Sequence, residues 1–178
     1  METAGLPTCD RSRIDPASTA EALAACGPAL VGSGHFAGMA ALPEQEPFPV
    51  SGRILAFNAV VNGHRVIFAH VYASHPVPTS RVIVFKIRRR SGTFGTVLTG
   101  DLPVALNHYG YVKQISLRLY RRYSVNGQLR SYLNASCAAP PGFPGAVFPL
   151  ARAGMVFDDG RRLSSTVSRS CHVLSGER

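Results

Sequence analysis

The chain has 178 residues, of which 46% are hydrophobic and 16% are charged, a composition that favours a folded domain with a buried core over a disordered chain. No apolar run approaches the roughly eighteen residues of a membrane-spanning helix. The formal net charge of +9 is uneven, since residues 1–52 sum to −4 and residues 53–178 to +13. Such a charge attracts polyanions. A GC-rich coding bias is the alternative explanation of the charge, because 17 of the 19 basic residues are Arg.

The first segment, "DPASTAEALAACGPALVG", predicts one short helix. Ser18 and Glu21 have the spacing of a capping box, in which the side chain of each residue accepts a hydrogen bond from the backbone N–H of the other. Gly27 and Pro28 then end the helix, because Gly accepts a left-handed cap and Pro cannot continue a helix. A helix this short must be held by packing or by a crosslink. The following "VGSGHF" is interpreted as a flexible connector.

The clearest β-hairpin is "GRILAFNAVVNGHRVIFAHVYA", which turns at the Asn-Gly pair of residues 62–63. A two-residue loop places Phe57 opposite Phe68 and Leu55 opposite His70, so His70 is interpreted as a residue of a packed face and not as a metal ligand. Both faces of the hairpin are largely apolar. We therefore expect the hairpin to be covered on both sides.

Further hairpins are predicted at Ser91-Gly92, at Asn126-Gly127 and at the turn of residues 158–160. In the third hairpin, Arg118, Tyr120 and Arg122 are expected on one strand face. The Pro- and Gly-rich run after Cys137 is expected to cross to an edge strand, where prolines cost few hydrogen bonds.

These elements predict an all-β fold, an antiparallel β-sandwich of about seven or eight strands with one short N-terminal helix, and a β-barrel as the alternative. Residues 1–34 would form an N-terminal cap and residues 35–178 the β-domain, both within one structural domain.

Four cysteines are present, and none forms a C-x-x-C pair that would indicate zinc. Of the three possible pairings, the one that keeps each bond within a local unit joins Cys9 to Cys26 and Cys137 to Cys171. Four buried reduced thiols are the alternative. Disulfides imply an oxidising compartment. Since the recorded start lacks a secretion signal, we expect that signal to lie upstream.

Several segments in order, among them "GRILAFNAVVNG", "HVYASHPVPTS", "GTFGTVLTGDLP" and "LSSTVSRSCHV", resemble an uncharacterised family of secreted all-β domains from high-GC actinobacteria. The resemblance covers residues 5 to 173. It implies an exported protein that normally carries a secretion signal and further residues before "GLPTC". It implies no catalytic residue and no ligand.

The strongest candidate for a binding surface combines arginines with tyrosines, because Arg binds phosphate and carboxylate with two parallel hydrogen bonds and Tyr offers a flat face to sugars or bases. A solvated, positively charged strand edge is the simpler explanation. Arg121 is expected opposite Tyr132, where the two could stack. The candidate residues are Arg88, Arg89, Arg90, Arg118, Tyr120, Arg121, Arg122 and Tyr132.

The sequence thus predicts an exported, non-enzymatic structural or binding domain of the bacterial cell surface, without metal or cofactor. One alternative is a binder of anionic envelope polymers or glycans through the Arg/Tyr residues, with nucleic acid less favoured. The other is a hydrolase of cell-wall or glycan substrates, which would need a His-activated nucleophile or convergent carboxylates, for which Asp101, Asp158 and Asp159 are the candidates.

Overall fold

The computed structural model describes all residues except 2, 42, 76–77, 103–109, 136, 138 and 174–178. The predicted class, antiparallel all-β with one short N-terminal helix, is confirmed. The helix α1 spans Thr19–Cys26, between 3₁₀ turns at Arg11–Arg13 and Gly27–Ala29. The ten strands of the described residues are β1 (Leu30–Ala40), β2 (Phe48–Val61), β3 (His64–Ala73), β4 (Thr79–Arg89), β5 (Thr96–Thr99), β6 (Gly110–Leu119), β7 (Arg122–Val125), β8 (Gln128–Ser131), β9 (Gly145–Val156) and β10 (Arg162–His172).

The chain forms two compact units, one of Met1–Arg88 with Leu98–Leu133 and one of Arg89–Val97 with Asn134–Arg178. The predicted boundary after residue 34 therefore falls inside the first unit. A curled six-stranded sheet has the order β5-β4-β3-β2-β1-β6, and the pairs β7–β8 and β9–β10 form separate two-stranded sheets. Within the described residues, no helix is long and apolar enough to cross a membrane.

The β2–β3 hairpin has the predicted register. Phe57 pairs with Phe68 and Leu55 with His70. Asn62 and Gly63 both have positive φ angles, of 50° and 76°, as the turn between twisted antiparallel strands requires. The short loop thus fixes which residues point to each face.

Both faces of this hairpin are buried, as predicted. We call the face with Leu55 and Phe57 the cap face, because Ile14, Ala22 and the other cap residues pack against it. The opposite, inner face carries Ala56 and Ile67, which form a second apolar cluster with residues from other strands of the sheet and from segments outside it. The members of that cluster and its neighbours include Leu6, Val31, Leu98, Leu119, Tyr123 and Tyr132.

The N-terminal cap is held by hydrogen bonds and by a crosslink. Ser18 Oγ accepts from the Glu21 N–H (3.3 Å), and the Ser18 N–H donates to Glu21 Oε2 (2.7 Å), so the predicted capping box is confirmed. The helix does not end in the predicted left-handed cap, because Gly27 has φ −50° and leads into a 3₁₀ turn. The predicted disulfide Cys9–Cys26 is present. It closes a 17-residue separation and contributes about 3 kcal/mol on the chain-entropy model.

The prediction of a flexible connector at "VGSGHF" is wrong, since these residues belong to β1, which lies between β2 and β6. The glycines that suggested flexibility allow a neighbouring backbone to approach. A Cβ at Gly34 would overlap the Ser116 carbonyl oxygen, and one at Gly32 would overlap that of Arg118.

The strand predicted to run through Arg118 and Arg122 is interrupted. The N–H groups of Tyr120 and Arg121 both donate to the Val31 carbonyl (3.0 and 3.3 Å), and β6 ends at Leu119. Arg122 then begins β7, in a different sheet. Together with β1, this break gives ten strands where about seven or eight were expected.

In the second unit, β9 and β10 form the predicted hairpin. Pro149 lies beside a register shift between Val167 and Ser168, where a ladder bond is already lost. The predicted disulfide Cys137–Cys171 joins the start of the Pro-rich run to β10. Its 34-residue separation corresponds to about 4 kcal/mol on the same model.

His70 connects the cap to the sheet. Its side chain is fully buried, and its Nε2 lies 2.9 Å from the Ala17 carbonyl oxygen and 3.0 Å from Ser80 Oγ. Since a carbonyl can only accept, Nε2 carries the proton and donates to Ala17. Nδ1 is buried without a hydrogen-bond partner among the described residues. Burial lowers the pKa of His70, against smaller raising effects of the Ala17 hydrogen bond and of the Asp15 charge.

We expect Gly34→Ala to lower the free energy of unfolding by about 1–3 kcal/mol, because the added methyl group forces β1 and β6 apart. Gly27→Ala is the matched control: nothing lies within 4 Å of its Cβ position and its φ is helical, so stability should be unchanged or slightly raised. Denaturant unfolding measures both. Equal effects of the two substitutions would contradict the close approach of β6 to β1.

We expect the free energy of unfolding to fall as the pH drops below about 6.5, the ordinary pKa of His in an unfolded chain. The pKa of His70 is lower in the folded state than in the unfolded chain, so the unfolded chain binds the proton more readily. The stability that the neutral ring contributes is therefore fully present above the unfolded pKa and is lost as the pH falls toward the folded pKa. Unfolding at pH 8 and at pH 5 measures the difference. His70→Gln, which does not titrate, should reduce it, and an unchanged difference would argue against this role of His70.

Candidate functional site

The predicted Arg/Tyr residues do not form one surface. Arg88 and Arg89 lie at the end of β4, and Arg90 follows that strand. Arg118 lies on β6, from which β4 is separated by β3, β2 and β1 in the sheet order. Arg89 and Arg90 also belong to the second unit, whereas Arg118 belongs to the first. The two groups are therefore separate candidates.

The prediction that Tyr132 contributes to a binding surface is wrong. Tyr132 lies opposite Arg121 as predicted, since the Tyr132 N–H donates to the Arg121 carbonyl (2.9 Å). The Tyr132 side chain, however, is fully buried in the inner-face cluster, so its ring is not available to a ligand. Burial raises the pKa of Tyr132 to about 12, against a smaller lowering by Arg65. Arg121 is only half-buried, but its Nε is buried without a hydrogen-bond partner among the described residues.

Arg118 and Tyr120, in contrast, lie on an exposed polar area of the sheet. Strand pairing sets Arg118 beside Ser33 on the cap face, beyond the part that the cap covers. The Tyr120 ring is 51% exposed, and its Oη lies 3.4 Å from Ser33 Oγ. The prediction that Arg122 shares this face is wrong, because the strand is interrupted before it.

The same face continues across four strands as a row of polar side chains. His35 of β1 pairs with Ser116 of β6 on one side and with Arg53 of β2 on the other, and Arg53 pairs in turn with Tyr72 of β3. Directly paired residues point to the same face of a sheet. Ser116 Oγ accepts from the His35 N–H (3.2 Å), which fixes the serine at the β1–β6 junction.

A groove of about 470 Å³ lies at this row. We call it the polar groove. Ala37, Gly52 and the half-buried Phe36 line it, and its other six lining residues offer polar side chains. These six are His35, Ser51, Arg53, Ser74, Gln114 and Ser116.

All of the Arg, Lys, Asp and Glu residues on the strands of the curled sheet are of one sign, the basic one. None of the six strands of the curled sheet contains Asp or Glu, whereas Arg53 and Arg118 both lie on the exposed cap face. Among the described residues, the side chains of His35, Arg53 and Gln114 have no hydrogen bond or ion pair with another residue. An anion in the groove would therefore meet cationic and neutral donors without an opposing carboxylate in the sheet.

The remaining chemistry-bearing residues are dispersed. Asp159 accepts from the Arg161 side chain (2.6 Å) and from the Arg161 N–H (3.0 Å) in the β9–β10 turn, which agrees with turn chemistry. Asp158 and Asp159 belong to the second unit and Asp101 to the first. In the described part of the chain, no group of three His, Cys, Asp or Glu residues could hold a metal ion.

Sequence reasoning missed His35, Ser51, Arg53, Gln114 and Ser116 as a group. Each residue is unremarkable in its own segment, and the group forms only through the pairing of β1 with both β2 and β6. The available signal was the long stretch between Glu46 and Asp101 without any acidic residue, which contains Arg53.

No family model, curated protein or solved structure was found to match the chain. The resemblance to secreted actinobacterial domains therefore stays a prediction.

We expect Tyr132→Phe to leave the free energy of unfolding unchanged or to raise it by up to about 1 kcal/mol, because it removes a buried hydroxyl without a hydrogen-bond partner among the described residues. Tyr132→Ala should lower it by about 3–5 kcal/mol through the cavity that it leaves. Chemical denaturation of both variants measures the difference. A Phe variant as unstable as the Ala variant would show that the hydroxyl is bonded.

Proposed function

We propose that the protein is an exported, non-enzymatic binding domain that holds an anionic polymer of the bacterial cell envelope on the exposed cap face of its sheet. The observation that carries the proposal is the charge pattern of this face: Arg53 and Arg118 lie on it, and no strand of the sheet contributes a carboxylate. A cationic surface of this kind attracts and retains polyanions.

The side chains on this face supply the contacts that such a polymer requires. Arg53 and Arg118 can each bind a carboxylate or a phosphate with two parallel hydrogen bonds. The exposed ring of Tyr120, which follows β6 and lies near Ser33, offers a flat apolar surface close to Arg118. The backbones of Arg53 and Arg118 are fixed in regular strands, so binding has to order only their side chains.

The protein has two disulfides, and disulfides form and persist in an oxidising environment. They support the part of the proposal that places the domain outside the cytoplasm, at the cell surface, where anionic polymers are present. The resemblance to secreted actinobacterial domains points to the same location.

We expect the protein to bind soluble polyanions, such as polyphosphate and polyuronate, with an affinity that falls steeply as salt rises from about 50 to 200 mM, because binding releases counterions. The double variant Arg53→Gln/Arg118→Gln should bind about a hundredfold more weakly, since each of the two charge-assisted contacts contributes on the order of 1.5 kcal/mol, which is about tenfold in affinity. Fluorescence anisotropy with labelled polymers measures both effects.

Arg81→Gln is the matched control. Arg81 is exposed on the same sheet but pairs with Val71 and therefore points to the inner-face side. Its substitution should change affinity by less than about twofold. An affinity independent of salt, or equal losses in the control and in the double variant, would contradict the proposal.

A further inference from the structure

We infer that the polar groove binds an acidic sugar unit, with one carboxylate on Arg53 and the sugar hydroxyls on the surrounding neutral side chains. This inference rests on the proposed function and names the class of polymer, an acidic glycan. The groove combines residues of β1, β2 and β6 with Ser74, which follows β3.

The size of the groove fits a discrete unit of a polymer. Its volume of about 470 Å³ lies within the range of about 300–1,000 Å³ that is usual for small-molecule sites. Neighbouring strands are about 4.8 Å apart and side chains on one face repeat about every 7 Å along a strand. Polar groups on such a grid can contact several substituents of one sugar ring at once.

The lining favours a ligand with few charges and many hydroxyls. Arg53 is the one arginine among the six polar lining residues. The others are three serines, a glutamine and a histidine, which can both donate and accept hydrogen bonds in their neutral forms. A polymer with a charge on every phosphate would find one fixed cation here, whereas a uronic acid unit offers one carboxylate and several hydroxyls.

The aromatic residues at the groove itself, as distinct from Tyr120 beside Arg118, argue against a nucleic acid as the ligand. Recognition of single strands depends on exposed aromatic faces on which successive bases stack. Phe36, the aromatic residue that lines the groove, is half-buried, and strand alternation directs its ring to the face opposite His35, where it lies over Gly52. Tyr72 is also half-buried, and its ring stacks with that of His70 at a centroid distance of 6.5 Å. The groove thus offers hydroxyl and amide groups in preference to a stacking surface.

The test compares three probes by isothermal titration calorimetry: an oligogalacturonate, its fully methyl-esterified form and a polyphosphate with the same number of charges. We expect the oligogalacturonate to bind at least tenfold more tightly than either of the others at 150 mM salt, because only it offers both the carboxylate and the hydroxyls. Polyphosphate that binds as tightly as the oligogalacturonate would overturn the inference but would leave the proposed function standing.

Two variants separate the groove from general charge attraction. Gln114→Ala removes neutral hydrogen bonds and no charge, so it should weaken oligogalacturonate binding by about threefold to tenfold and leave polyphosphate binding unchanged. Arg53→Gln should weaken the binding of both anions, and the control Arg81→Gln neither. A Gln114→Ala variant that binds oligogalacturonate as the unchanged protein does would refute the groove as the site. If neither anion binds at any salt concentration, the proposed function fails with the inference.

Discussion

The register of the β2–β3 hairpin is the constraint on which the first unit depends. The Asn-Gly turn at residues 62–63 sets Phe57 opposite Phe68 on one face and Ala56 opposite Ala69 on the other. Because side chains alternate along a strand, a shift by one residue would exchange the two sets. Both faces are apolar, so two separate layers must exclude water: the N-terminal cap on one side and residues such as Leu6 and Tyr132 on the other.

The cap is shorter than the strands that it covers, and the candidate site results from this difference. Over Leu55 the cap face is dry, and the cap is tied to the sheet there by the hydrogen bond of His70 to Ala17. Two residues along β2, at Arg53, the same face is exposed and polar. One strand, β2, thus contributes to the core over part of its length and to the exposed groove at Arg53, so the groove is built on the same sheet as the core.

Local signals in the sequence predicted the local structure. The capping box at Ser18 and Glu21, the Asn-Gly turns and the pairing of cysteines within each unit are confirmed, because each depends on residues close together in the chain or on a strong turn preference. The interior strand β1 was missed, since Gly32 and Gly34 carry no side chains that could show an alternating pattern. The groove was missed with it, because the partners of His35 are 18 residues away at Arg53 and 81 residues away at Ser116. Which distant strands pair depends on packing over the whole sheet.

The β9–β10 hairpin gives the bond Cys137–Cys171 a significance beyond stability. The hairpin is a two-stranded ribbon in which both strands have an unpaired edge among the described residues, and it exposes apolar side chains such as Val156 and Leu163. Ribbons of this kind recruit further strands and start aggregation when they are free to move. The crosslink restrains one end of this ribbon, so the chain without it has a greater tendency to self-associate than the crosslinked chain. The bond Cys137–Cys171 thus limits self-association in addition to stabilising the second unit.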